Sequence, residues 1–259
     1  MALQRIAGKA IRRLELFDTS VDDDFLETVA KFGTLTSIHI SSQKISDRGI
    51  ACVADHNPLV SLMLSNAPKV TDECMGAISG CKKIRELYLD GTSVSDDGIE
   101  SVGRLPELWS LVIDNTSITD VGIERIASRT IHLISFRNCS ITGTGFFTWS
   151  QSEKMSFFCT GSRLSDQGFA VACGSFSRMW NVDIADTDVG NDGVKSLAGH
   201  SPTLLRIRNN KVDKNGVNWI IGNLPIELLE LSPSQMSESD VGQLEIPRRL
   251  QVVVDEKEI

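Results

Sequence analysis

The chain has 259 residues, of which 41% are hydrophobic, and carries a formal net charge of −8 with an isoelectric point near 5.1. This negative balance disfavours nucleic acid as a partner, because phosphate binding needs a basic surface. It is typical of a protein kept soluble by its charge, and it would also complement a basic protein partner. No apolar run approaches the ~18 residues of a membrane span, and Met1–Arg13 lacks the apolar centre of a signal peptide.

The chain begins with a short segment and an acidic helix start. Residues 1–13 are predicted to form a short helix that covers the first strand. Asp22, Asp23 and Asp24 open the next helix, where acidic groups meet the positive end of the helix dipole. A calcium loop is the alternative interpretation, but no Gly or distal Glu completes it.

From residue 14 onward one template recurs every 23–25 residues. It is clearest at 84–105, where Leu87 and Leu89 alternate with polar residues as in a strand, a turn follows, and Ser95 opens a helix. The first inward strand residue of each copy is its anchor. The ten anchors are Leu14, Ile38, Leu62, Leu87, Leu111, Ile134, Phe157, Val182, Leu205 and Leu229. Neither strand nor helix can bury its apolar side alone, so neighbouring copies must supply the missing contacts.

The helix of several copies begins with Ser or Thr, then Asp, and Gly two residues after the Asp. The clearest examples are SDRGI at 46–50, SDDGI at 95–99, TDVGI at 119–123 and SDQGF at 165–169. We assign the recurring carboxylates to helix capping. Gly143, Asn191 and Lys214 replace the Asp, so the sixth, eighth and ninth helices are expected to start less sharply.

The strand-and-turn pattern LxLxxTxV and these helix starts resemble the leucine-rich-repeat family, whose period is 20–29 residues, and in particular its cysteine-containing and bacterial branch. The resemblance implies an α/β leucine-rich-repeat solenoid (a horseshoe) with a parallel sheet on the concave face and short helices on the convex face. It implies a single domain over 1–259. That domain would comprise a cap segment at 1–13, about ten repeats over 14–246, and a terminal strand with a charged tail at 247–259.

The turn after each strand departs from the family pattern. The family usually places Asn or Cys five residues after the anchor, but only Cys139 and Asn210 do so in this sequence. The other copies carry mainly Thr or Ser. These hydroxyls can still bond backbone groups, so we expect a turn ladder with shorter side chains.

The segment 134–181 holds nine of the fifteen aromatic residues. Five take inward template positions: Phe136, Phe146, Trp149, Phe157 and Phe169. Four do not: Phe147, Phe158, Phe176 and Trp180. Two explanations stay open for these four, an exposed contact surface or local repacking around imperfect repeats.

Alternate strand residues point away from the helices, and they form the predicted binding face. An apolar line consists of Met63, Tyr88, Val112 and Phe158; an acidic patch of Glu86, Asp90 and Asp114; and a basic patch of Arg137, Arg206 and Arg208. Single exposed apolar residues are common, but the combination with two charged patches favours a partner-binding face. Tyr88 is the expected anchor, because aromatic groups ringed by polar ones are frequent interface hot spots.

No constellation of catalytic or metal-binding residues is evident. His39, His56, His132 and His200 fall in different copies, and none stands beside a nucleophile with an orienting acid. The glycines follow the repeat and form no phosphate-binding loop. The six cysteines lack CxxC spacing, so we predict reduced structural thiols, a cytoplasmic setting, and neither cofactor nor metal.

These features predict a non-catalytic protein–protein interaction module whose concave sheet face binds a partner protein. The alternative is a stoichiometric inhibitor or immunity protein that neutralises a basic toxin or nuclease, with the acidic patch covering the basic active site. The sequence leaves the oligomeric state open.

Overall fold

The computed structural model describes residues 11–17, 20–126, 130–149, 154–236, 238–242 and 246–254. The chain divides into two compact units, Met1–Ser117 and Ile118–Ile259. The predicted cap helix at 1–13 falls largely outside the described residues, and the charged tail after residue 254 falls wholly outside them. Both stay predictions. The single-domain organisation also stays a prediction.

The first unit alternates parallel strands with short helices. Its described strands are β1 Arg13–Leu16, β2 Ser37–Ser41, β3 Ser61–Ser65, β4 Glu86–Asp90 and β5 Ser110–Val112. Its described α-helices are α1 Asp23–Ala30, α2 Asp47–His56, α3 Met75–Gly80 and α4 Asp96–Ile99, with 3₁₀ turns at Asp72–Cys74 and Glu100–Arg104. Each strand pairs with the next one along the chain.

The second unit repeats the same arrangement. Its described strands are β6 Leu133–Ser135, β7 Met155–Phe158, β8 Met179–Asp183, β9 Leu204–Arg206, β10 Leu228–Leu231 and β11 Gln251–Val254. Its described α-helices are α5 Asp120–Ile126, α6 Asp166–Ser175, α7 Asn191–Lys195, α8 Lys214–Asn223 and α9 Glu238–Val241, with a 3₁₀ turn at Thr144–Thr148. The strands again pair in chain order and in parallel.

The predicted strand register is confirmed within each unit. In the first unit the anchors are direct cross-strand partners: Leu14, Ile38, Leu62, Leu87 and Leu111. In the second they are Ile134, Phe157, Val182, Leu205 and Leu229. From Ile38 onward these anchors are at most 1% exposed, because every second strand residue faces the helices. The α/β leucine-rich-repeat solenoid fold predicted from the sequence is confirmed.

A left-handed backbone residue follows most strands, four positions after the anchor. These residues are Asn66, Gly91 and Asn115 in the first unit, and Asn138, Gly161, Asp186 and Asn209 in the second, all with φ between 51° and 73°. Asn, Asp and Gly are the residue types that adopt this conformation at least cost. This position was not predicted from the sequence, although the recurrence of Asn, Gly or Asp four residues after most anchors was a signal for it.

The helix-start aspartates bond one repeat to the next. Asp72 accepts hydrogen bonds from the backbone nitrogen of Ser95 at 2.7 Å and from its Oγ at 2.6 Å. The same two bonds join Asp23 to Ser46 and Asp47 to Thr71. The N-cap is the preceding residue, since Ser95 itself accepts from the backbone nitrogen of Asp97. The assignment of these carboxylates to capping was therefore wrong.

This inter-repeat bond also explains the glycine of the motif. A Cβ atom on Gly98 would lie 2.6 Å from Cγ of Asp72, so a side chain there would displace the carboxylate. Gly49 lies in the same way against Asp23, and Gly193 against Asp166. The Asp-x-Gly motif thus pairs the Asp of one repeat with the Gly of the next.

The sixth, eighth and ninth helices were expected to start less sharply, and the outcome differs among them. Helix α8 starts sharply, because Asp213 caps it by accepting from the backbone nitrogens of Asn215 and Gly216; the expectation from Lys214 was wrong. The N-cap residues of the 3₁₀ turn Thr144–Thr148 and of α7 supply no side-chain cap bond of their own, as expected.

The turn hydroxyls mostly close their own turn. Thr92 donates to the carbonyl of Leu89 at 2.8 Å, and Thr187 does the same to Ile184 at 2.7 Å. Ser162 instead donates to the carbonyl of Phe136, one repeat earlier. The expected hydroxyl ladder between repeats is therefore present at Ser162, while these threonines stabilise their own turns.

An aromatic cluster fills the core of the second unit. Its members are Phe136, Phe146, Trp149, Phe157, Phe169 and Phe176, with ring centroids 5.2–6.2 Å apart. Phe176 is 3% exposed, so for this residue local repacking, one of the two explanations left open, is the one that holds. It comes directly after α6, where the chain turns back towards the sheet and carries the ring inward.

Candidate functional site

Three members of the predicted apolar line, Met63, Tyr88 and Val112, form a row of cross-strand neighbours in the first unit, whereas the fourth, Phe158, lies in the second unit. Met63 is the partner of Tyr88, and Tyr88 is the partner of Val112. All three side chains are half-buried, because they lie against one another on the sheet face opposite the helices. The Tyr88 hydroxyl also accepts a hydrogen bond from Ser110 Oγ at 3.4 Å. This bond restrains the Tyr88 hydroxyl, and Tyr88 lies at the centre of the row.

The acidic patch of the first unit borders this row. Glu86 and Asp90 lie two residues before and after Tyr88 on β4, and both are half-buried. The Asp90 carboxylate accepts from Asn115 Nδ2 at 2.7 Å. The backbone carbonyl of Asp114 accepts from Gly91, which places Asp114 beside the end of β4. The fold therefore brings together all six predicted site residues that lie in this unit.

The four predicted site residues of the second unit lie on the same face of its sheet. Phe158 is the cross-strand partner of Asp183, and Asp183 of Arg206. Arg137 lies over the Phe158 ring, with 5.4 Å between its guanidinium carbon and the ring centroid. Such cation–π contacts fix a guanidinium in place.

Three arginines of the second unit line an open depression on the sheet face. Arg137, Arg206 and Arg208 line a space of about 310 Å³, together with Thr160 and Asp183. Asp183 is only 5% exposed, and its Oδ2 lies 3.6 Å from Arg137 Nη2 and 3.9 Å from Arg206 Nη1. Glu230 accepts from Arg206 Nε at 2.9 Å. We call Arg137, Arg206, Arg208, Thr160 and Asp183 the arginine pocket.

Sequence reasoning missed Asp183 and Glu230 as parts of this site. Both lie on the outward side of their strands, at the level of Phe158 and Arg206. The signal was present, because cross-strand neighbours of opposite charge stabilise a sheet.

The aromatic residues outside the core divide between two surfaces. Phe147 is 63% exposed and Trp180 is 40% exposed, and Lys154 Nζ lies 4.8 Å from the Trp180 ring centroid. Phe147 belongs to the 3₁₀ turn on the helix side, whereas Trp180 is a strand residue of β8. Of the four aromatics left open by the sequence, Phe147 and Trp180 are therefore exposed, while a role for them in partner contact stays a hypothesis.

Four of the cysteine thiols lie in surroundings that disfavour ionisation. Burial raises the pKa of the Cys74, Cys81, Cys159 and Cys173 thiols, which disfavours the reactive thiolate at neutral pH. All six cysteines are free thiols. His39 packs edge-on against Phe17, with ring centroids 4.5 Å apart.

The described residues hold neither a metal-ligating cluster nor a membrane-spanning helix. No group of three or more His, Cys, Asp or Glu side chains there is placed to hold a metal ion. Within the same residues, no helix combines the length and apolar character needed to cross a bilayer.

Solved structures of other proteins are similar to this chain in fold. A chain of the yeast Rad7–Elc1 complex superimposes with a TM-score of 0.72 at 14% sequence identity, over 98% of this chain and 71% of that one. An internalin (inlF) from Listeria monocytogenes gives a TM-score of 0.54 at 16% identity, over 94% and 80% of the two chains. A chain of the TLR13–ssRNA13 complex gives 0.57 at 14% identity, over 85% of this chain but only 36% of that one. No protein-family model and no curated protein sequence matches the chain.

Proposed function

We propose that this protein is a non-catalytic interaction module that binds a partner protein through the sheet face opposite its helices. The observation that carries the proposal is the row Met63, Tyr88 and Val112, bordered by Glu86 and Asp90. A half-buried aromatic anchor between apolar neighbours and a charged rim is the usual anatomy of an interface centre. The fold supports the proposal, because repeat solenoids offer such extended sheet surfaces to partners.

The proposal also covers the cellular setting of the protein and its branch within the leucine-rich-repeat family. Six free thiols fit a reducing, cytoplasmic environment. The Ser/Thr-Asp-x-Gly helix starts support a place in the cysteine-containing and bacterial branch of leucine-rich repeats. The proposed setting rests on the thiol chemistry, and the proposed family branch rests on the helix-start motif. The Rad7–Elc1 structure contains two proteins, which supports a protein as the partner.

Radical footprinting of the complex tests this binding face. The partner would be captured from native cells with the tagged chain, and the purified complex exposed to hydroxyl radicals. We expect Met63, Tyr88 and Phe158 to be protected relative to the free protein, because the partner covers their side chains. Phe147, on the helix side, should stay equally reactive and serves as the internal control. Protection of Phe147 with Met63 and Tyr88 unchanged would refute the proposal.

The acidic patch favours a second candidate function, inhibition of a basic toxin or nuclease. Glu86, Asp90 and Asp114 border the apolar row, and the whole chain carries a net charge of −8. Complementary charge mainly accelerates association. This candidate predicts that the captured partner is basic and that one equivalent of the protein abolishes its activity. A captured partner that stays active in the complex would rule it out while leaving the binding module in place.

A further inference from the structure

The arginine pocket is built inside the second unit. Three guanidinium groups and one nearly buried carboxylate line its volume of about 310 Å³. This volume lies at the lower end of the range for ligand pockets. It therefore suits one side chain better than a nucleotide or a larger metabolite.

Asp183 occupies the pocket without saturating the Arg206 guanidinium. Its Oδ2 lies 3.9 Å from Arg206 Nη1, beyond the 2.7–3.2 Å of an N–H···O hydrogen bond. The other carboxylate oxygen, Oδ1, accepts a long hydrogen bond from the backbone nitrogen of Ala185 at 3.3 Å. Asp183 thus attracts the guanidinium through space, and a ligand carboxylate can approach the terminal nitrogens more closely.

The neighbouring groups orient the arginines before any ligand arrives. Glu230 holds Nε of Arg206 at 2.9 Å and lies 3.8 Å from Nε of Arg208. Because Glu230 engages the Nε side of Arg206, the terminal-nitrogen side is directed towards Asp183. The Phe158 ring supports Arg137. Groups fixed in advance lose little freedom on binding, which favours affinity.

We propose that the arginine pocket receives an acidic side chain, Glu or Asp, of the partner protein. Guanidinium groups bind carboxylates through two parallel hydrogen bonds, and Arg206 and Arg208 are the expected donors. The net charge of −8 opposes a polyanion such as nucleic acid, but a single carboxylate presented by a partner meets the local arginines. The inference rests on the proposed function, since it names what one part of the binding face recognises.

The test uses small probes and needs no partner. The full chain, labelled with ¹⁵N, would be titrated with N-acetyl-glutamate N-methylamide while the arginine Nε–Hε signals are followed by NMR. N-acetyl-glutamine N-methylamide is the neutral control, and inorganic phosphate the alternative anion. We expect the acidic probe to shift the Arg206 and Arg208 signals with a dissociation constant in the millimolar range, about that of a single contact. The neutral probe should leave them in place.

Variants inside and outside the arginine pocket show where the acidic probe binds. Arg206→Gln and Arg208→Gln should each weaken binding of the acidic probe about fivefold or more. Arg85→Gln is the control, because Arg85 pairs with Glu107 in the first unit and lies outside the pocket. Asp183→Asn should tighten binding about threefold, because it removes the competing carboxylate.

Three outcomes would overturn the inference. They are the absence of probe-dependent shifts, tighter binding of phosphate than of the acidic probe, or unchanged affinity in both arginine variants. Any of them would leave the arginines as counter-ions of Asp183 and Glu230. If footprinting still protected Met63 and Tyr88, the proposed function would stand and only the pocket would fail. Because each arginine variant is tested separately, one that fails to fold leaves the other to decide.

Discussion

At the residue scale, stability depends on close approach between a side chain of one repeat and the backbone of the next. Asp72 reaches Ser95 and lies against Gly98. The carboxylate is anionic, so each of its hydrogen bonds is stronger than one between neutral groups. The glycine is required by packing against this carboxylate.

Gly98→Ala should destabilise the protein by about 1–3 kcal/mol, because the new methyl group must displace the Asp72 carboxylate. Gly76→Ala is the matched control, since nothing lies within 4 Å of a Cβ atom there. In the helix α3 that substitution should stabilise by about 0.5–1 kcal/mol. Urea unfolding of both variants measures the effects. Equal changes in the two variants would contradict the assigned role of Gly98.

His200 gives the fold a pH dependence. Its Nδ1 accepts a hydrogen bond from the backbone nitrogen of Met179 at 3.1 Å, and burial lowers its pKa below the ordinary value. The unfolded chain therefore binds a proton more readily than the folded one. The stabilisation is present above the unfolded pKa of about 6.5 and is lost as the pH falls towards the folded pKa.

We expect wild-type protein to lose more unfolding free energy than His200→Gln between pH 7.5 and 5.5. The difference between the two isolates His200, because the other titrating groups are common to both proteins. Urea unfolding across this range is the measurement. Parallel pH curves for the two proteins would show that His200 does not contribute.

At the element scale, the repeat unit of strand, turn and helix was largely predictable. Alternation fixed the inward side chains such as Leu87 and Leu89, and the register followed from the constant spacing. The capping assignment failed because Asp47 and Thr71, its bonding partner, are 24 residues apart, and a local rule considers only the helix that contains the Asp. The sequence left the burial of Phe176 open, because that burial depends on the tertiary aromatic cluster and is not set by template position.

Asp120 is one of these inter-repeat bonding groups in the second unit. Its carboxylate accepts from the backbone nitrogen and Oγ1 of Thr142 and from the backbone nitrogens of Gly143 and Gly145. Asp120→Asn should cost about 2–4 kcal/mol, because the amide turns a donor towards backbone donors. Glu124→Gln, on the exposed side of α5, changes the charge equally and should be nearly neutral.

Hydrogen exchange distinguishes a local from a global effect of Asp120→Asn. We expect faster exchange in the 3₁₀ turn Thr144–Thr148, because its backbone donors lose their acceptor. An unchanged exchange rate there, together with wild-type stability, would show that the carboxylate is dispensable.

At the scale of the whole molecule, each unit carries a chemically different surface on the outward side of its own strands. The first carries Tyr88 among acidic groups, and the second carries the arginine pocket. The sequence placed these residues on the correct face, because strand period alone determines facing. It could not show that Asp183 is nearly buried or that Glu230 orients Arg206, since both depend on side-chain conformations across neighbouring strands.

The affinity of the captured partner for Tyr88→Ala tests the central claim, binding through this face, most directly. We expect a loss of 2 kcal/mol or more, about thirtyfold in dissociation constant, with little change in stability. Glu100→Lys, exposed on the helix side, should bind like wild type by isothermal titration calorimetry. Normal binding by Tyr88→Ala, together with loss of binding by Phe147→Ala, would contradict the account and move the interface to the helix side.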